Sequence, residues 1–113
     1  MRGLLHLHLA NAGYEVETAE DAVVAMKSIM RRPPELMIVD VDMPYMDGLE
    51  FVQTVRNDEK FSRLPVMFLT SRTDIEARTR ALGALAYLTK PLLAPELIAA
   101  VAAALPNGRF AIG

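Results

Sequence analysis

The sequence predicts an α/β fold, a doubly wound parallel sheet, and three observations carry that expectation. Leu36-Met37-Ile38-Val39 and Pro65-Val66-Met67-Phe68-Leu69 are short continuous apolar runs, the pattern of strands covered on both faces. Segments with apolar residues at helical intervals lie between the strand-like runs, as with Ala22, Met26 and Ile29. Strands and helices alternating along one chain imply parallel pairing through right-handed crossovers, with helices on both faces of the sheet.

The elements follow in order. Leu5-His6-Leu7-His8-Leu9 alternates with period two, yet Leu5, Leu9 and Ala12 share a helical face. Leu and Ala without β-branching, with Gly13 where a helix commonly stops, decide for helix. Tyr14-Glu15-Val16-Glu17-Thr18 alternates as a strand. Thr18-Ala19-Glu20-Asp21 has capping-box spacing, so a second helix is expected with Arg31-Arg32 in its last turn, Glu20 and Asp21 compensating its dipole and Pro33-Pro34 stopping it. The run from Leu36 ends on Asp40. From Gly48, the pairs Leu49/Val52 and Phe51/Val55 predict a third helix, and the run from Pro65 ends on Thr70. Ile75, Thr79 and Leu82 mark a fourth helix. Ala86-Tyr87-Leu88-Thr89 is a short strand closed by Lys90-Pro91, and Pro95 opens a helix running to about Leu105.

Composition bounds the rest. A chain of 113 residues, 52% hydrophobic, can bury one core, so residues 1–113 are read as a single domain. Twelve Lys and Arg against fourteen Asp and Glu give a formal net charge of −2, with no global basic field for phosphate backbones, so no nucleic acid partner is expected. The absence of cysteine excludes disulfides, a thiol nucleophile and thiolate metal sites, and suits a cytoplasmic setting. No run reaches the ~20 apolar residues of a membrane helix, so no membrane partner is expected either. His6 and His8, two apart on a helix, do not face one ligand.

In a sheet of this kind functional groups gather at the carboxyl ends of the strands. Three successive core strands end on Asp40, Thr70 and Lys90, which brings a carboxylate, a hydroxyl and an ammonium to one rim. Alone, the Asp is more often a turn residue, the Thr a cap and the Lys a solvated charge. Together they suit phosphoryl chemistry: a carboxylate that attacks phosphorus, a cation that neutralises the transferred oxygens and a hydroxyl that hydrogen-bonds one of them. Asp42 adds negative charge nearby, and its backbone carbonyl is a candidate ligand for a hard cation such as Mg²⁺.

The motifs Leu-Met-Ile-Val-Asp-Val-Asp-Met-Pro-Tyr-Met-Asp-Gly-Leu-Glu-Phe at 36–51, Pro-Val-Met-Phe-Leu-Thr-Ser at 65–71 and Ala-Tyr-Leu-Thr-Lys-Pro at 86–91 resemble the receiver domains of two-component response regulators. Ala-Gly-Tyr-Glu-Val-Glu-Thr-Ala at 12–19 is similar to that family's first helix end and second strand. The resemblance implies a flavodoxin-like fold. It also implies that Asp40 is the phosphoacceptor, Thr70 the switch hydroxyl, Lys90 the phosphate partner and Tyr87 the switch aromatic, with Asp40 and Asp42 at the metal. The implied partners are a sensor histidine kinase or phosphotransfer protein upstream and an unnamed protein target downstream.

By the same likeness a complete receiver begins with a further central strand ending in an acidic pair, and Met1 falls inside the family's first helix. The expectation is therefore an N-terminally truncated sheet, weak or absent Mg²⁺ binding and impaired phosphorylation. A missing central strand leaves edges that invite pairing. Arg109-Phe110-Ala111-Ile112, after the Pro106-Asn107-Gly108 turn, is the candidate to fill the slot, within the chain or swapped between two chains. Leu97 to Leu105 carries no charge on any face, and Arg80 to Tyr87 is short for the family; the first feature predicts a homodimer through the last helix. Two other functions stay open: a degenerate receiver acting only by protein contact, and a haloacid-dehalogenase-type phosphatase, for which Asp40-Val41-Asp42 has the Asp-x-Asp arrangement.

Overall fold

A computed structural model describes residues 2–42, 47–72, 74–104 and 109–112, with side chains placed from residue 6 to residue 104 within those spans. The elements are α1 (Arg2–Asn11), β1 (Glu15–Thr18), α2 (Ala22–Arg31), β2 (Leu36–Asp40), α3 (Gly48–Asn57), β3 (Val66–Thr70), α4 (Glu76–Ala81), β4 (Ala86–Thr89), α5 (Ala94–Ala104) and β5 (Arg109–Ile112). The expected turn at Pro106–Gly108, the helix end at Leu105 and the Met43-Pro44 segment lie outside the described residues.

The five strands form one sheet in the order β1-β5-β2-β3-β4, every neighbour parallel. The tail strand β5 lies inside the sheet. It pairs with β1 through Val16 opposite Phe110 and with β2 through Ile38 opposite Ile112. The slot next to β2 is thus filled from within the chain, which removes two open edges that would otherwise template association.

The apolar runs divide by strand alternation into two layers. Met37, Val39, Val66 and Phe68 face a cluster with Ala25 and Ile29 of α2 and Leu49, Phe51, Val52 and Val55 of α3. Leu36, Ile38, Met67 and Leu69 face the opposite cluster, with Leu9 of α1 and Leu97 and Val101 of α5. Every residue of β2 and β3 is buried, so these central strands read as continuous hydrophobic runs rather than as alternation. Gly13, at φ +97°, ends α1 in the left-handed region that a Cβ disfavours.

Two local expectations are corrected. The capping box at Thr18 does not form. Asp21 is itself the N-cap of α2: its backbone is extended and its carboxylate accepts from the Val24 N–H at 2.9 Å. Because α2 starts at Ala22, Glu20 and Asp21 precede the first turn instead of occupying it. Pro95 lies in the first turn of α5, which starts at Ala94, in keeping with the sequence reading. Within α5 only Leu97 and Val101 are buried, while Ala99 and Ala102 to Ala104 stay exposed. One stripe of that apolar helix docks on the sheet, Ile98 and Ala100 pack partly beside it, and the remaining alanines face outward.

Candidate functional site

Register builds the site. In the β2–β3 ladder Asp40 stands opposite Leu69, and in the β3–β4 ladder Thr70 stands opposite Thr89. Each successive strand therefore reaches one residue further along the rim. The Val41 N–H donates to the Leu69 carbonyl at 2.9 Å and the Lys90 N–H to the Thr70 carbonyl at 2.8 Å, so the staggered ends are locked by backbone bonds. Gly48 lets α3 approach the end of β2. A Cβ there would come within 2.8 Å of the Val39 side chain and 3.2 Å of the Asp40 carbonyl.

The expected trio converges. The Lys90 ammonium donates to both Asp40 carboxylate oxygens at 2.9 Å, with the two side chains only 18% and 12% exposed. Asp40 Oδ1 also accepts from the Asp42 N–H at 2.9 Å, which fixes the carboxylate plane. Thr70 is fully buried; its hydroxyl accepts from the Arg72 N–H at 3.0 Å and donates to Asp42 Oδ1 at 3.2 Å. Thr70 is joined to Asp40 through Asp42 and Lys90. The cap-like bond to Arg72 and a place in the site coexist on one hydroxyl.

Asp42 contributes its side chain as a hydrogen-bond acceptor, beyond the nearby negative charge and the candidate carbonyl ligand read from the sequence. Its Oδ2 accepts from the Ser71 N–H at 2.8 Å and the Ser71 hydroxyl at 3.0 Å, and lies 3.4 Å from Lys90 Nζ. Desolvation pushes the Asp42 pKa upward, but the Ser71 N–H and hydroxyl and the Lys90 ammonium outweigh it and hold the carboxyl below its ordinary value. Ser71 is the residue that sequence reasoning missed. Its signal was present in the Thr-Ser pair at a strand end, but a backbone N–H leaves no mark in composition.

Tyr87 projects from β4 onto the edge of the α3-side cluster, half-buried, and its hydroxyl donates to the Arg72 carbonyl. It therefore touches the same loop that Thr70 and Ser71 begin. The linkage is physical: Thr70 holds the Arg72 N–H and Tyr87 holds the Arg72 carbonyl.

A divalent cation at this rim would draw on Asp40 and Asp42. Both Asp40 oxygens face Lys90, and the Asp42 carboxylate is turned onto Ser71 and Thr70. Among the described residues no group of three His, Cys, Asp or Glu could hold a metal ion. Mg²⁺ asks for near-ideal octahedral geometry and one or two carboxylates free to bind it. The described residues fit that requirement poorly, so no chemical step below passes through a metal.

Comparisons with known proteins place this geometry. The family model described as "Response regulator receiver domain" matches residues 1–102. Response regulator MprA of Mycobacterium leprae is 37% identical over 107 residues, 93% of this chain and 46% of that protein. The DNA-binding dual master transcriptional regulator RpaA of Synechocystis is 34% identical over 90% of this chain and 43% of its own length. The chain thus spans less than half the length of these relatives. Among solved structures, chemotaxis protein CheY4 of Vibrio cholerae superposes with a TM-score of 0.84 at 34% identity, covering 92% of this chain and 88% of that one. By sequence match and by superposition alike, the chain belongs to the response regulator receiver domain family, a family of two-component signalling modules that generally bind Mg²⁺ at their phosphorylation site.

Proposed function

We propose that this chain is a phosphoryl-accepting switch with Asp40 as the acceptor. The observation that carries the reading is the Lys90 ammonium 2.9 Å from both oxygens of a carboxylate set at the rim of the sheet, beside the Thr70 and Ser71 donors. An Asp40 oxygen attacks phosphorus, the new O–P bond forms as the donor–P bond breaks, and the electron pair leaves on the donor. Lys90 neutralises charge on the transferred group. Thr70 hydrogen-bonds one of its oxygens, and the shift passes through the Arg72 segment to Tyr87, so that a local charge becomes a change of surface.

The chain works as one receiver unit over residues 1–113, with a histidine kinase or phosphotransfer protein as donor and a protein as target. Its Mg²⁺ affinity is weak, for the donor-set reason above. Outward alanines of α5, with Leu93 64% exposed just before it, form the face through which two copies associate. No helix among the described residues is long and apolar enough to cross a membrane, and we place the chain in the cytoplasm. The family match favours this reading over the phosphatase alternative.

The test is treatment with acetyl phosphate and Mg²⁺, read by intact mass and tyrosine fluorescence. One added phosphoryl group on the wild type and none on Asp40→Asn supports the assignment. Equal modification of both chains contradicts it. A wild type that stays unmodified, yet binds its partner, favours the interaction-only receiver.

A further inference from the structure

The donors that a phosphoryl group on Asp40 would need are already engaged by another anion. Asp42 gathers the Ser71 N–H at 2.8 Å, the Ser71 hydroxyl at 3.0 Å, the Thr70 hydroxyl at 3.2 Å and the Lys90 ammonium at 3.4 Å onto its two carboxylate oxygens. These donors come from the end of β3, which pairs with the acceptor strand, and from the residue after β4, the next strand out. To such donors a carboxylate and a phosphoryl group look alike: each presents anionic oxygens that accept charge-assisted hydrogen bonds. Asp42 is also tethered to the acceptor, two residues away with its own N–H on Asp40 Oδ1 at 2.9 Å.

We propose that Asp42 is a built-in gate on phosphorylation, an internal anion that fills the phosphoryl-binding donors and must swing aside before Asp40 can be modified. The inference rests on the reading of Asp40 as phosphoacceptor. The side chain is 24% exposed, so an outward rotamer reaches solvent without crossing the core. Being tethered, the carboxylate competes at a high effective concentration against a donor that arrives by diffusion. Its charge also repels the incoming phosphate at the moment of approach. The same arrangement holds the Thr70–Arg72 segment in order while the site is unmodified, because Thr70, Ser71 and Lys90 are all bonded to one group.

The test compares wild type, Asp42→Asn and Asp42→Ala with acetyl phosphate at one fixed Mg²⁺ concentration. Modification is timed by intact mass, and the Ser71 amide resonance is recorded beforehand. Both variants should shift the Ser71 amide, which loses a charged acceptor, and should be modified about tenfold faster, the scale of one displaced hydrogen bond to a charged group. A Ser71 amide that does not move overturns the proposal at the level of the contact. An amide that moves without a faster reaction overturns it at the level of the gate and leaves Asp42 as a brace. If wild type and both variants all stay unmodified, the phosphoacceptor reading itself falls, and the gate with it.

Discussion

Replacing Lys90 by Met removes the ammonium while keeping most of the side-chain volume, so its cost measures electrostatics at the site more than packing. Lys90 Nζ lies 2.9 Å from each Asp40 oxygen and 3.4 Å from Asp42 Oδ2. Its loss leaves the two carboxylates that it bridges without their shared cation, with the Asp42 N–H still on Asp40 Oδ1. Breaking a fully buried pair costs about 3–5 kcal/mol, whereas an exposed pair contributes roughly 0–1 kcal/mol. With side chains 18% and 12% exposed this pair sits between those limits, and the expected loss is about 2 kcal/mol. In the Asp40→Asn background one of the stranded charges is gone, so the same replacement should cost about 1 kcal/mol, a coupling of similar size. Urea denaturation of the four chains, with unchanged slopes, reads both numbers, and the single variant should melt about 8 °C lower. Additive costs, or a Lys90→Met chain within about 0.5 kcal/mol of wild type, would refute the picture of a desolvated, mutually dependent pair.

Three further outcomes follow from the packing and the charges. Gly48→Ala pushes a methyl to 2.8 Å from Val39 and should cost about 1–3 kcal/mol in denaturation, displacing the Asp40 region along with it. Phe68→Ala, at a fully buried position in the centre of the sheet, should lose about 3–5 kcal/mol; a smaller loss would mean that the α3-side cluster collapses around the gap. Asp42 is held below its ordinary pKa of 3.8, so its charged form favours the folded state. That stability is present above 3.8 and lost as pH falls through the lower folded value. Metal-free acid titration should therefore show Asp42→Asn losing less stability than wild type below that pH, and parallel curves would count against the contacts to Ser71 and Lys90.

The sheet and the trio were legible because both depend on pattern. Uninterrupted apolar runs at 36–39 and 65–69 marked buried parallel strands, and the residue closing each run marked the carboxyl rim. The tail strand Arg109–Ile112 was legible as a strand-like run, while the central slot that it fills was implied only by the family resemblance. What the pattern could not carry is direction. Whether Asp42 turns toward solvent or toward Ser71 depends on backbone geometry after β2, and the Ser71 N–H that receives it is common to every residue type except proline. The capping box at Thr18 failed by competition: Asp21, three residues on, supplied an extended backbone and an acceptor for Val24, and a helix takes only one N-cap. For α5 the composition, apolar on every side, could not say which stripe docks on the sheet; Leu97 and Val101 do, and Ala99 and Ala102 to Ala104 face outward.

Whether the rim is a phosphoryl acceptor is decided most directly by locating the modified atom. After reaction with acetyl phosphate, borohydride reduces an aspartyl phosphate to homoserine, and peptide mass mapping finds where the homoserine lies. Homoserine at position 40 alone is the expected result, and homoserine at 42 or 47, or at no position, would contradict it.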